Sequence, residues 1–168
     1  MFRVAATSVE EYFAFDPARE TELRRTDELI RAAAPALSRW FVAGTAAGKP
    51  GMAMTMIGYG RFEYAVRGSA DTVSWPIVGL ALQKNHLSLY LSAELDEQPF
   101  ARHYPDRLGK VDVSATGAVR FARAADLDSA GFSAMLADLV RGLRSATVLV
   151  RYGRSTTTVA VHDPPLSR

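Results

Sequence analysis

The sequence has no cysteine, and only three histidines and two tryptophans in 168 residues. Without cysteine there are no disulfides, thiolate nucleophiles, iron–sulfur ligation or Cys-based zinc sites. No apolar run approaches the ~20 residues needed to cross a bilayer. A dominant charge is missing too. Lys and Arg number 20 against 18 Asp and Glu, leaving +2, too near balance for a dedicated nucleic-acid binder. Met1-Phe2-Arg3 runs quickly into Glu10 and Glu11, which fits no secretory signal, so a cytoplasmic protein is expected. There is no GxSxG elbow and no HExxH helix, which counts against the commonest hydrolase designs. Gly44 to Lys49 superficially resembles a phosphate loop, but the spacing is one residue short. Pro50 also stands where a Ser or Thr would bind magnesium.

What is present suits one globular domain. Hydrophobic residues make up 48% of the chain, and a chain of this length buries roughly 70% of its unfolded surface. Thr7 or Ser8 can cap a short helix through Tyr12 and Phe13. Asp16-Pro17 reads as the N-cap and first residue of a second helix. Pro35 should end that helix, and Glu20–Arg24 and Asp27–Arg31 are spaced as ion pairs along it. Thr55 to Tyr59 and Phe62 to Val66 read as strands around a Gly60-Arg61 hairpin turn. Ile77 to Leu82 is apolar throughout, as expected of a central strand. Beyond a Lys84-Asn85 turn, Leu87, Leu89 and Leu91 alternate with His86, Ser88 and Tyr90, the pattern of a strand covered on one face. Two short strands flank Gly117. Asp126 or Asp128 then caps an amphipathic helix whose apolar side holds Phe132, Met135, Leu136, Leu139, Val140 and Leu143. Thr147 to Tyr152 and Thr156 to Val161 could pair as a terminal hairpin. The order of helices, antiparallel strands and helix predicts an α+β fold of two layers, an antiparallel β-sheet with the N- and C-terminal helices packed on one face.

The stretches Ile57 to Tyr64 and Trp75 to Leu91, with Arg107-Leu108-Gly109-Lys110, Val119-Arg120-Phe121 and Ala125-Asp126-Leu127-Asp128, resemble the YdhG-like family, a bacterial domain-of-unknown-function family. The likeness covers about residues 8 to 144. It implies a frataxin-like α+β architecture over residues 1–145; the extension over 146–168 lies outside the likeness, and its β-prone runs suggest a hairpin followed by a disordered end. One member of the family is described as a frataxin-like iron chaperone. Iron handling would need an acidic ridge, for which Glu10, Glu11 and Glu28 are candidates here, along with Asp16, Glu20, Glu22 and Asp27. Arg19, Arg24 and Arg25 are interleaved among them.

Three further groups carry chemistry in principle. Glu94, Asp96, Glu97 and His103 offer oxygen and imidazole ligands of the kind iron or manganese accepts. Met52, Met54 and Met56 alternate and would share one face of an extended chain. Tyr59, Arg61, Tyr64, Lys84, Asn85 and Tyr90 could gather rings and cationic donors at one edge or face of a sheet, which suits a small anion or a planar ligand. The sequence therefore points to a non-catalytic binding domain for a metal, which the resemblance implies would be iron, or for a small ligand. The alternative is a protein–protein adaptor that uses the open sheet face or the terminal hairpin, with another protein or a second copy of the chain as its partner. An enzyme is the least supported reading.

Overall fold

The computed structural model describes residues 2–163. Ser8 opens the first helix, α1 (Val9–Ala14), by accepting the Glu11 N–H. Asp16-Pro17 does not start the second helix. The Asp16 side chain accepts the Ala18 N–H and its carbonyl accepts the Arg19 N–H. This turn spends the capping capacity of Asp16 before the helix begins. Helix α2 (Glu20–Ala33) therefore starts three residues later and stops two residues short of Pro35. Glu20 and Asp27 meet Arg24 and Arg31 at 3.0 and 3.7 Å.

The strands follow as β1 (Arg39–Val42), β2 (Met56–Tyr59), β3 (Arg61–Val66), β4 (Thr72–Trp75), β5 (Val78–Leu82), β6 (Leu87–Leu91), β7 (Ala93–Leu95), β8 (Gln98–Pro99), β9 (Asp112–Val113) and β10 (Val119–Phe121). Helix α3 (Ser129–Arg144) and the strands β11 (Leu149–Val150) and β12 (Thr156–Asp163) complete the chain. The result is an α+β protein with three antiparallel sheets. The large one runs β1-β2-β5-β6-β10-β9, and the small ones run β12-β3-β4 and β11-β7-β8.

Two sequence expectations fail at the same structural feature. Gly60-Arg61 is not a hairpin turn: β2 pairs with β5, whereas β3 pairs with β4. Gly60, at φ +73, instead bends one long strand so that its two halves enter different sheets. The neighbouring strands break at the matching places, Pro76-Ile77 between β4 and β5 and Ser92 between β6 and β7. The backbone groups freed by the bend find partners. Gly60 N–H donates to Ser38 O, Gly60 O accepts Trp40 Nε1, and Ser92 N–H donates to Ile77 O. The terminal strands likewise do not pair with each other. β11 pairs with β7, and β12 pairs with β3 through two register shifts. The last part of the extension, 164–168, lies outside the described residues.

Strand alternation sorts the large sheet into two faces. Leu80 lies opposite Leu89, and Leu82 opposite Leu87; Ile57 pairs with Leu80, and Val119 with Leu89. These side chains share one face. Leu87, Leu89 and Leu91 are 0, 0 and 9% exposed, but Ser88 between them is also 0% exposed, so the strand is covered on both faces there rather than on one as its alternation suggested. Helix α2 lies against this face, since Tyr59 Oη reaches Asp27 on α2 at 2.6 Å. Tyr12 of α1 accepts the Leu82 N–H at 2.8 Å, taking the place of a ladder partner where β2 has already ended. Asp128 caps α3 by accepting the Gly131 N–H, and all six apolar residues expected on its inner side are buried or half-buried.

Candidate functional site

The second face of the large sheet carries Gly79, Ala81, Ser88, Tyr90 and Arg120, because Gly79 lies opposite Tyr90, Ala81 opposite Ser88, and Arg120 opposite Ser88. His86 and Gln83 continue the same alternation at the β5–β6 turn, where the Gln83 N–H donates to His86 O. This places a turn of only two residues, Lys84-Asn85, at the end of the two central strands.

Several donors converge at that end. Gln83 Nε2 donates to Tyr90 Oη at 3.1 Å and lies 3.9 Å from Met54 Sδ. From the start of α2, Arg19 Nη1 donates to the carbonyls of Gln83 and Lys84 at 2.6 and 3.2 Å. Those bonds clamp the turn onto the helix. The second terminal nitrogen of Arg19, Nη2, is enclosed without a hydrogen-bond partner, and so is Ser88 Oγ. A buried polar group without a partner costs about 1–3 kcal/mol. His86 is held below its ordinary value of 6.5, first by desolvation and then by the charges of Arg120 and Arg19. Among the described residues, Arg19, Lys84 and Arg120 make no ion pair within 4.0 Å. Asp112 is the cross-strand partner of Arg120 on β9, without an ion pair within 4.0 Å between their side chains.

The six residues expected to bind a ligand divide among several places. Lys84, Asn85 and Tyr90 belong to this end of the sheet. Tyr59 points to the opposite face and donates to Asp27; burial and that carboxylate push its phenol well above its ordinary pKa. Arg61 is exposed, 4.9 Å from the Trp40 ring and 3.2 Å from Ser74 Oγ. Tyr64 is buried beyond the bend, stacked on Tyr152. Parity with Tyr90 was enough to place His86 on this face. Nothing local could place Arg19, which reaches the turn from 64 residues away.

The expected metal ligands are also spread out. Glu10 pairs with Arg24 at 2.9 Å, and Glu11 accepts the N–H and hydroxyl of Thr7. Both are held below the ordinary carboxylate range, Glu10 chiefly by its bond to Arg24 and Glu11 by its bonds to Thr7. Glu28 is at the other end of α2, lining a shallow cleft with Arg31 and Arg39. Glu94 lies 3.9 Å from Arg151. Asp96 and Glu97, at φ +51 and +63, form the turn between β7 and β8. His103 Nε2 lies 2.7 Å from the Leu95 carbonyl. Among the described residues no three of His, Asp and Glu gather closely enough to hold a metal ion. Of the methionines, Met56, buried beside Gly79, and Met54, beside Gln83, lie on the second face together, whereas Met52 is exposed.

Compared with protein-family models, curated proteins and solved structures, the chain matches none. Among the described residues no helix is long and apolar enough to cross a membrane. The surroundings of Arg19, Gln83, His86, Tyr90 and Arg120 therefore have to speak for themselves. They present cationic and neutral hydrogen-bond donors beside an aromatic ring, which suits recognition of a small anion.

Proposed function

We propose that this protein is a binding domain for a small phosphoryl-type anion, held at the β5–β6 end of the large sheet. The reading includes a frataxin-like build of two layers with the helices on the leucine face. The element order and the Tyr59–Asp27 contact support that part. The observation that carries the function is the meeting of Arg19, His86 and Arg120. They come from three separate elements, no acid among the described residues makes an ion pair with either arginine, and one nitrogen of Arg19 is buried without a partner among them. Both arginine charges act on the His86 imidazole, and an anion placed among them would convert repulsion into attraction. Gln83 Nε2 and Tyr90 Oη would orient the bound group, with the Tyr90 ring as one wall.

Isothermal titration with inorganic pyrophosphate at low ionic strength tests this. Surface ion attraction is strongest when salt is low. Arg120→Gln is expected to weaken binding at least tenfold, about 1.4 kcal/mol. Arg144→Gln, which removes the same charge from the end of α3, is expected to leave it unchanged. An absence of binding heat, or equal loss in both variants, contradicts the proposal.

A further inference from the structure

The last turns of α2 and the chain that leaves it border a shallow cleft of about 660 Å³, within the roughly 300–1,000 Å³ of small-molecule sites. Its apolar part is Ala32 and Pro35 from the helix end and Leu37 from the turn into β1. Arg31 on the helix and Arg39 on β1 line it as well. Both guanidinia reach a single oxygen, Asp27 Oδ2, at 3.7 and 2.8 Å, while Tyr59 occupies Oδ1. One buried carboxylate oxygen thus serves two arginines. Each guanidinium has five N–H donors, and neither makes another ion pair among the described residues. Their remaining donors are free for a second carboxylate, the group an arginine fork matches in shape.

The cleft offers negative groups too. Glu28, one turn before Ala32, lines it and makes no ion pair within 4.0 Å among the described residues. Pro35 has no N–H to give the Arg31 carbonyl, and the Leu37 N–H goes to Ala34 O rather than to the Ala33 carbonyl. These carbonyls, left without helical partners, carry the negative end of the helix dipole. The wall of the cleft is fixed in advance. Ser38 N–H donates to Asp163 Oδ2 at 2.6 Å, Ser38 O accepts the Gly60 N–H at 3.0 Å, and Asp27 holds Arg39. A lone anion here would face Glu28, and a lone amine would face two arginines. A ligand that carries both charges meets a partner for each.

We propose that the cleft at the end of α2 binds a free α-amino acid with a branched apolar side chain. The carboxylate lies between Arg31 and Arg39, the ammonium on Glu28 and the end carbonyls of α2, and the side chain over Ala32, Pro35 and Leu37. The 14 residues of α2 span roughly 20 Å and separate this cleft from Arg19. The site is therefore independent of the anion-binding end.

The probe is leucine at neutral pH. Isocaproate is the same skeleton without the ammonium, and isoamylamine the same skeleton without the carboxylate. Binding is followed by NMR of the backbone amides of the full chain. Leucine is expected to shift the amides of Ala32, Leu37 and Ser38, and to bind roughly tenfold or more tightly than either analogue. Arg31→Ala should weaken leucine by roughly tenfold or more. Glu28→Gln should abolish the preference for leucine over isocaproate. Both substitutions alter exposed side chains, so the variants should unfold as cooperatively as the native chain. Arg120→Gln should leave leucine binding unchanged. Shifts confined to the Lys84-Asn85 turn, or binding lost in Arg120→Gln, would place the carboxylate at the other end of α2 and overturn the proposal. No shift at millimolar leucine, or equal binding of all three compounds, would overturn it too.

Discussion

Asp27→Ala is expected to cost about 3–5 kcal/mol of folding stability, the loss typical of breaking a buried ion pair from one side. Asp27 is 3% exposed. One carboxylate oxygen accepts Tyr59 Oη at 2.6 Å, and the other accepts Arg39 Nη1 at 2.8 Å. Tyr59 is wholly buried, so the substitution leaves a phenol without a partner and a half-buried guanidinium without its counter-charge. Arg31→Ala separates the two contributions. Arg31 is the exposed partner at 3.7 Å, and its removal should cost no more than about 1 kcal/mol. Urea unfolding of both variants checks the contrast. Similar losses from Asp27→Ala and Arg31→Ala would show that the buried network holds little of the stability that joins α2 to the sheet.

Gly131→Ala should also destabilise the protein, by about 3 kcal/mol or more, as expected of a severe overpacking. The sign is informative, because intrinsic helix propensity favours Ala over Gly by about 1 kcal/mol inside a helix. A Cβ at position 131 would lie 1.7 Å from the Arg107 carbonyl oxygen and 2.8 Å from its carbon. The obstacle is backbone that cannot easily retreat. The Asp128 N–H donates to Leu108 O, and the Lys110 N–H donates to Asp126 O at 2.7 Å. Gly109 forms a bridge with Leu127 between them. The residues that directly follow Arg107 are thus laced to the segment that leads into α3. A denaturation midpoint equal to or above that of the native chain would contradict this packing.

That interlock shows what the sequence discloses and what it withholds. Arg107-Leu108-Gly109-Lys110 and Ala125-Asp126-Leu127-Asp128 stand out as separate stretches, and Asp128 is recognisable as a cap. Their pairing is a tertiary fact that neither stretch encodes locally. Features with a short period were legible. The alternation of Leu87, Leu89 and Leu91 set their face, Pro35 limited α2, and acids four residues ahead of arginines formed pairs. Gly60 misled because a glycine between two β-prone runs suits both a hairpin and a bend. The choice depends on whether the flanking runs meet each other or more distant strands. Here Ile57 meets Leu80 and Phe62 meets Trp75. The same holds for β12, whose partner β3 lies about ninety residues earlier in the chain and offers no nearby signal. For the anion-binding end, the sequence supplied Lys84, Asn85 and Tyr90. It could not supply Arg19, whose role rests on a contact between the start of α2 and a turn in the sheet.

The anion reading makes its sharpest statement about His86. Desolvation, Arg120 and Arg19 together hold this imidazole below 6.5 in the free protein. A bound anion offsets both guanidinium charges and favours the imidazolium, so the His86 pKa must rise on binding. By linkage, the anion then binds more tightly as pH falls through that range, with uptake of a proton. NMR titration of the imidazole signals, with and without saturating pyrophosphate, measures this directly. The expected result is a His86 titration below 6.5 that moves upward with the anion, while pyrophosphate leaves the ring signals of His103 and His162 in place. A His86 curve unchanged by pyrophosphate, or equal movement of all three histidines, would contradict an anion site at the end of β5 and β6.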